Sequence, residues 1–208
     1  MRPVFFRRAS ILGLAAGLLA GAGCTAEQPG QASSYVMIQS LEAASGARPD
    51  EFDGTLASDV QTLVDVQVNG EQFKSPTIYE DIGRVVFLLA MKDPNGFEPA
   101  PANFVTFTRY RVTYVRADGR NTPGVDVPYP FDGAITTTVT DQPTTAVLTL
   151  VRIQAKMENP LLPLVGGGGA RAISTLAEIT FYGTDQTGRD VTATGRISVD
   201  FADWGDPE

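Results

Sequence analysis

Carboxylates are the residues of this chain best suited to chemistry, and three of them lie close together near its end. Asp200, Asp203 and Asp206 follow one another at intervals of three residues around Trp204, the only tryptophan. Because calcium is bound by several carboxylate and carbonyl oxygens, these aspartates are the candidate ligands for a cation. The segment lacks the spacing of an EF-hand loop, and acidic residues that follow a last strand are usually solvated. We therefore predict that the protein binds no metal and no other cofactor.

A second chemistry open to carboxylates is glycoside hydrolysis, which needs two of them facing each other across a cleft. Glu158, Glu178, Asp126 and Asp132 are available, but no spacing among them singles out a pair. Four carboxylates without a characteristic spacing do not indicate an active site. We therefore predict a protein that is not an enzyme, with a carboxylate-based hydrolase as one alternative.

The chain has no histidine, and Cys24 is its single cysteine. The absence of histidine excludes Ser-His and Cys-His catalysis, and it excludes zinc, copper or iron held by histidine. A single cysteine excludes an internal disulfide. An enzyme built from this chain would have to use carboxylates, tyrosine, lysine, or an activated serine or threonine.

Arginine and tyrosine are concentrated along one predicted strand. Arg109, Arg111 and Arg116 lie on or beside it, together with Tyr110 and Tyr114. Both residue types are enriched at binding sites, and this composition is similar to that of carbohydrate- or peptide-contacting surfaces. They are also ordinary on the exposed face of a β-sheet, where arginine pairs with Asp or Glu across strands. We predict such pairs, with a carbohydrate- or calcium-binding surface protein as the alternative function.

Residues 159–169 are an unusual connection between two strands. Leu161, Leu162, Leu164 and Val165 lie among prolines and are followed by a run of four glycines. Exposed apolar residues in a loop can form an interface with a partner, and these four are the candidate interface residues of the chain. The alternative is that the leucines fold back over an open end of the core, which is the commoner fate of apolar loop residues.

The first 24 residues indicate where the protein is found. Three arginines among the first eight residues precede an apolar run, 11–19, that is too short to span a membrane, and small residues lead to Cys24. This arrangement is typical of an export signal, and its end resembles the lipobox of bacterial lipoproteins. The resemblance implies cleavage before Cys24, acylation of that cysteine and attachment to a membrane. Because Thr25 follows the cysteine, the resemblance also implies the outer membrane.

Cleavage at that point divides the chain into a signal peptide (1–23), a polar tether (24–34) and one domain (35–208). The chain carries 16 basic and 24 acidic residues, and three arginines leave with the signal, so the mature part keeps 13 basic residues and a formal charge of −11. This charge repels nucleic acid and anionic lipid headgroups, so contact with a membrane must come from the lipid on Cys24. We expect the membrane and an envelope protein as partners, and no nucleic acid.

Alternation of apolar and polar residues predicts strands throughout the domain. Residues 60–68 alternate as a strand with one wet face, and 84–91 form a continuous apolar run expected at the centre of a sheet with both faces buried. In residues 103–116 the apolar parity changes near Thr108 or Arg109, which predicts a β-bulge. Further strands are predicted at 35–41, 71–74, 134–140, 147–157, 173–181 and 191–201. A short helix is the alternative for 35–41. In 147–157 we expect the odd-numbered residues to face the core.

Strands separated by turns, without crossover helices, predict an all-β fold, an antiparallel β-sandwich of about seven to nine strands. This general pattern of strands is similar to that of immunoglobulin-like or fibronectin type III domains, although the Cys…Trp…Cys signature is absent. A small closed β-barrel is the alternative. Together these features predict a lipid-anchored cell-envelope protein whose domain serves as a non-catalytic interaction or structural module.

Overall fold

The computed structural model describes residues 32–93, 95 and 98–205. Within these residues the chain forms ten strands, one short helix, and two 3-10 turns at Pro101–Asn103 and Leu162–Leu164. The strands are β1 (Ser34–Ala44), β2 (Thr55–Asp59), β3 (Thr62–Val68), β4 (Glu71–Thr77), β5 (Asp81–Met91), β6 (Val105–Val115), β7 (Phe131–Val139), β8 (Thr144–Val151), β9 (Ile173–Asp185) and β10 (Asp190–Ala202), and the helix is α1 (Ile153–Lys156).

Eight of the ten described strands form two sheets that pack against each other. One sheet has the order β1-β5-β8, and the other has the order β2-β10-β9-β6-β7. The remaining two strands, β3 and β4, form a separate hairpin. All neighbours are antiparallel except β2, which runs parallel to β10. The fold is therefore an all-β sandwich, as predicted. One strand, β2, was not predicted from the sequence pattern.

Aromatic side chains join the two sheets in one hydrophobic core. The ring centroid of Phe87, in β5, lies 5.0 Å from that of Phe107 and 4.9 Å from that of Phe181, which belong to the five-stranded sheet. The side chain of Tyr114, in β6, also connects the two sheets, because its hydroxyl donates a hydrogen bond of 2.6 Å to the carbonyl oxygen of Leu150 in β8. Aromatic pairs of this kind add about 0.5–1.5 kcal/mol beyond the area that they bury. They therefore fix how the sheets pack.

The β-bulge predicted in β6 is confirmed. The register of β6 against both β7 and β9 shifts between Phe107 and Arg109. Relative to β9, Thr108 is the extra residue. Because of this insertion Val105 and Phe107 before the bulge, and Tyr110 after it, all face the core. The alternation predicted for residues 191–201 is confirmed as well, since the odd-numbered apolar residues of β10 are buried.

In β8 the prediction of which residues face the core was wrong. Ala146, Leu148 and Leu150 are buried, whereas Val147 is exposed. Apolar residues occupy both parities of this strand, so alternation alone cannot choose between its faces. The strand also ends six residues earlier than predicted, because the chain turns into α1.

The prediction that residues 60–68 form one strand of the sandwich was also wrong. Val60 is fully buried, but β3 begins after it at Thr62 and leaves the sandwich. Val66 and Val68, which the alternation placed on the inner face, are exposed. The alternation predicts a strand correctly, but it cannot tell which surface that strand meets.

Strand β5 lies at the centre of its sheet, as predicted for the apolar run 84–91. It is not buried on both faces. Gly83, Val85 and Phe87 face the core and are buried, while the residues between them are only half-buried. No layer of helices covers the outer face of this sheet in the described chain, which explains the partial exposure.

The described part of the domain begins earlier than the predicted boundary at residue 35. Ala32 is buried in the core, and Ser34 is the first residue of β1. Residues 35–41 therefore belong to a strand and not to a short helix. The predicted signal peptide, Cys24 and most of the tether lie outside the described residues.

Candidate functional site

The hairpin of β3 and β4 exposes apolar side chains along one face. Val64, Val66 and Val68 share this face by alternation, and Phe73 joins them because it pairs directly with Val66. The exposed fractions are 38% for Val66, 53% for Val68 and 50% for Phe73. We call these four residues the apolar hairpin face.

The turn of the hairpin is built for a tight connection. Asn69 has φ 55° and Gly70 has φ 88°, both in the left-handed region that a two-residue hairpin loop requires. On the other face Lys74 and Asp65 form an exposed ion pair of 3.4 Å, which contributes little stability. Among the described strands, β3 and β4 pair only with each other, and three of the four residues of the apolar hairpin face are exposed to solvent.

Asp59 connects the base of the hairpin to the end of β10. Its Oδ2 accepts a 2.6 Å hydrogen bond from the Thr62 hydroxyl, and its Oδ1 accepts a 3.1 Å bond from the backbone N–H of Trp204. Burial raises the pKa of Asp59, with a further contribution from the charge of Asp203, and outweighs the hydrogen bonds, which lower it. The hairpin is therefore held at a defined position relative to the sandwich.

The four candidate interface residues of the loop after α1 are not exposed together. Leu161 and Leu164 are buried in the hydrophobic core, and Val165 packs against it. Leu162 alone among the four is exposed. A docking surface made of all four side chains is thus not present, because the main chain folds back and three of them cover the end of the core.

The aspartates at the end of β10 take part in hydrogen bonds within the fold, Asp203 through its side chain and Asp200 through its backbone. Asp203 Oδ2 accepts the backbone N–H of Gly166 at 2.6 Å, which ties the glycine-rich loop to the end of β10. The backbone carbonyl oxygen of Asp200 accepts the indole N–H of Trp204 at 3.3 Å, and Asp206 lies outside the described residues. Within the described part of the chain, no group of three or more His, Cys, Asp or Glu is placed to hold a metal ion.

The predicted cross-strand pairs of arginine are confirmed on the outer face of the five-stranded sheet. Asp132 of β7 accepts hydrogen bonds from Arg109 at 2.9 Å and from Arg111 at 2.7 Å. The Arg109 guanidinium also lies 4.1 Å from the centre of the Tyr182 ring. Unlike these residues, Tyr110 and Tyr114 face the core.

Two of the four carboxylates considered for hydrolysis take part in these pairs on the outer face. Asp132 binds two arginines, and Glu178 forms an ion pair of 2.6 Å with Arg196. A third, Asp126, accepts the backbone N–H of Thr122 at 3.2 Å. Their partners give these carboxylates a role in organising the sheet and the loop before β7.

A groove of about 400 Å³ lies on the same outer face. Thr108, Arg109, Tyr182 and Thr192 are among the residues that line it. An aromatic ring at the floor of a groove can stack on a sugar, but the guanidinium of Arg109 covers one side of Tyr182. The groove therefore offers no free aromatic platform.

Sequence reasoning missed a buried polar cluster at one end of the sandwich. Asp81 and Lys156 form an ion pair in which Nζ lies 2.9 Å from both carboxylate oxygens. Ser58 Oγ donates a 2.6 Å hydrogen bond to Asp81 Oδ2, and the backbone N–H of Gly46 donates to Oδ1 at 2.9 Å. Burial raises the pKa of Asp81 despite the adjacent lysine and the three hydrogen bonds.

No sequence signal connects the members of this cluster. Asp81 and Lys156 are separated by 75 positions. The alternation in residues 147–157 also predicted that Lys156 would lie on the solvent-exposed face of a strand. The early end of β8 and the turn into α1 bring this lysine inside. The local sequence near Asp81, with Tyr and Glu before it, is typical of an exposed connection.

Within the described residues, no helix combines the length and apolar character needed to cross a bilayer. Comparisons with protein-family models, with curated proteins and with solved structures gave no match to this chain. The function must therefore be argued from the geometry itself.

Proposed function

We propose that the protein is a lipid-anchored component of the bacterial cell envelope that docks onto another envelope protein through the apolar hairpin face. The observation that supports this proposal is the exposure of Val66, Val68 and Phe73 on a hairpin that pairs with no other described strand. The sandwich is the rigid scaffold, the hairpin is the contact element, and the role is non-catalytic.

The exposed side chains of the hairpin form a continuous surface. Phe73 lies directly opposite Val66, and Val68 is two residues further along the same face. Contiguous apolar patches on a soluble domain usually mark interaction sites, and an isolated two-stranded hairpin is only marginally stable in water. Contact with a partner would remove these side chains from water and would stabilise the hairpin as well.

The charge of the chain indicates what kind of partner fits. The part after residue 23 has a formal charge of −11, and on the hairpin Asp65 is paired with Lys74 while Glu71, which lies opposite Val68, adds a negative charge. A field of this sign attracts a basic surface and repels an acidic one. We therefore expect a protein partner that presents an apolar patch surrounded by lysine and arginine.

The proposed lipid limits where the partner can be. Seven residues separate Cys24 from the buried Ala32, and that length of chain reaches roughly 25 Å when fully extended. An acylated Cys24 would therefore hold the sandwich close to the bilayer. We expect the partner to be anchored in, or bound to, the same membrane.

Site-specific photo-crosslinking in intact bacteria tests the proposal. The photoreactive amino acid benzoylphenylalanine is placed at position 73, on the apolar hairpin face, and in a matched variant at position 147. Val147 is 58% exposed, against 50% for Phe73, and it lies on β8, which does not pair with the hairpin. We expect irradiation to give a discrete adduct of higher mass from position 73 and none from position 147, with the partner identified by mass spectrometry.

Two further variants complete the design. Val68→Thr, combined with the crosslinker at position 73, should weaken the adduct while leaving the thermal unfolding transition unchanged, because Val68 is exposed. Cys24→Ala should move the protein out of the membrane fraction and remove the adduct. Identical adducts from positions 73 and 147, or none from position 73, would rule out the hairpin as the docking element.

A further inference from the structure

The polar cluster of Ser58, Asp81 and Lys156 is enclosed by the protein on all sides. The exposed fraction is 0% for Ser58, 0% for Asp81 and 1% for Lys156. The three residues come from β2, from the first position of β5 and from the last position of α1, so the cluster joins both sheets at one end of the sandwich. Charges are rarely buried this completely, because their desolvation costs more than their attraction returns unless the geometry is excellent.

The amine and the carboxyl group are in contact. Lys156 Nζ lies 2.9 Å from Oδ1 and 2.9 Å from Oδ2 of Asp81. Equal distances to both oxygens place the nitrogen within about 3.5 Å of the carboxyl carbon, Cγ, which is the distance between reacting atoms that a near-attack conformer needs. Attack also requires the nitrogen to approach from above the plane of the carboxyl group, so this group rotates about the Cβ–Cγ bond before the new bond forms.

Burial favours the uncharged form of the Asp81 carboxyl group. A buried carboxylate can take up a proton from an ammonium group with which it is in contact. Burial raises the pKa of Asp81, which is the direction that this transfer requires. The products of the transfer are a neutral amine and a carboxylic acid, and these are the two reactants of amide formation.

We propose that Lys156 and Asp81 become joined by an intramolecular amide bond between Nζ and Cγ, with the release of one water molecule. The lone pair of Nζ forms the new bond to Cγ, and the bond from Cγ to Oδ2 breaks. Oδ2 leaves as water, carrying the carboxyl proton and one proton from Nζ. Oδ1 remains as the amide oxygen. No oxidant, reductant or other reactant is needed.

The hydrogen bonds of the cluster have roles in this step. The Gly46 N–H donates to Oδ1, so it stabilises the negative charge that develops on that oxygen when Nζ attacks. The Ser58 hydroxyl donates to Oδ2 at 2.6 Å and can relay the proton from Nζ to the departing oxygen. Complete burial keeps out the water that would hydrolyse the product.

The bond would give the domain a covalent link that cysteine cannot supply. It connects two positions 75 residues apart and so closes one end of the sandwich across β5 and α1. The domain after Cys24 contains no cysteine, so no disulfide can do this. The inference does not depend on the proposed docking function, because the cluster and the apolar hairpin face share no residue.

Peptide mapping of the full-length protein, purified as a folded monomer and then denatured, tests the proposal. Trypsin cuts after Lys74, Arg84, Arg152 and Arg171, and a modified Lys156 is not cut. We expect a branched peptide made of residues 75–84 and 153–171, with a mass 18 Da below the sum of the two linear peptides. Fragmentation should place the branch between Asp81 and Lys156. Recovery of linear 75–84 and of a peptide ending at an unmodified Lys156 would overturn the proposal and leave a buried ion pair.

Two variants separate the reaction from the structure. Lys156→Arg keeps a positive charge at the site but should give only linear peptides. Ser58→Ala keeps both reacting groups, and we expect the fraction of branched peptide in freshly synthesised protein to fall at least tenfold. An unchanged fraction in Ser58→Ala would overturn the proton relay, and circular dichroism spectra matching the wild type establish that each variant is folded.

Discussion

Two buried aspartates, Asp59 and Asp81, organise the same end of the sandwich, but their partners differ. Asp81 faces a lysine, whereas Asp59 has only neutral donors: the Thr62 hydroxyl and backbone N–H groups such as that of Trp204. For Asp59 the balance of burial against these bonds leaves its pKa above the ordinary value of 3.8. Its charge is therefore less stable in the folded protein than in the unfolded chain.

This balance predicts how Asp59 affects stability as the pH changes. Between the ordinary pKa and the raised one, the folded state binds more protons at Asp59 than the unfolded state does, so the free energy of unfolding falls as the pH rises through this window. Asp59→Asn removes the titrating group and keeps an oxygen that can accept the Trp204 N–H. The difference in unfolding free energy, wild type minus Asp59→Asn, should therefore decrease from about pH 3 upward and then level off.

Urea unfolding of both proteins at a series of pH values measures this difference. Taking the difference removes contributions from other carboxylates, such as Asp185, whose pKa is lowered because its hydrogen bonds to Thr187 and Arg189 outweigh its desolvation. A difference that grows with rising pH would mean that the hydrogen bonds around Asp59 favour its charged form more than burial disfavours it.

Two elements with similar apolar content, the loop after α1 and the hairpin of β3 and β4, differ in whether their apolar side chains are buried. The loop after α1 turns Leu161 and Leu164 into the core, while the hairpin of β3 and β4 turns Val66 and Phe73 to solvent. The loop has the open end of the sandwich to cover, and its main chain folds back through the bond from the Leu164 N–H to the carbonyl oxygen of Leu161, at 2.9 Å. The hairpin extends from the sandwich and meets no such surface.

Adjacent leucines of this loop provide a matched pair of variants. Leu161 is fully buried, so Leu161→Ala should lower the free energy of unfolding by about 2–5 kcal/mol, through lost burial and the cavity left behind. Leu162 is exposed, so Leu162→Ala should change it by no more than about 0.5 kcal/mol. Chemical denaturation measures both, and equal effects would contradict the division of the loop into a core-covering side and a solvent side.

The described part of the molecule consists of one hydrophobic core and one appended hairpin. Aromatic rings from both sheets meet at Phe87, Phe107 and Phe181, so the two sheets of the sandwich share one hydrophobic core. The hairpin of β3 and β4 lies outside this arrangement, because its strands pair with no other strand in the described part of the chain. Stability is therefore distributed unevenly, and the element with the exposed apolar face is the one least supported by the core.

Hydrogen exchange should reveal this distribution. Amides in the centres of β9 and β10 are expected to exchange through global unfolding, because both strands pair on either side and pack against the core. Amides of β3 and β4 should exchange through local opening, with a free energy lower by about 2 kcal/mol or more. Exchange measured by NMR or mass spectrometry distinguishes the two. Equal protection of the hairpin and of β10 would mean that the domain opens as a single unit.

The sequence by itself determined the class of fold and most of the strands, because alternation with a period of two is a local property. Buried Val191, Val199 and Phe201 in β10, and the bulge at Thr108, follow directly from which neighbours are apolar. The absence of histidine and of a second cysteine excluded whole classes of chemistry from composition alone.

Only the tertiary structure decided which apolar residues are covered and which polar residues meet. Leu161 and Val68 are both apolar, and nothing in the sequence distinguishes their exposure. Leu161 is buried in the core, whereas Val68 is exposed to solvent. Asp81 and Lys156 are 75 residues apart, and their contact depends on the packing of β5 against α1. Local patterns record which face of a strand is apolar, but they hold no information on what a distant segment places against that face. For this reason both proposed sites, the apolar hairpin face and the buried lysine with its aspartate, became visible only in the fold.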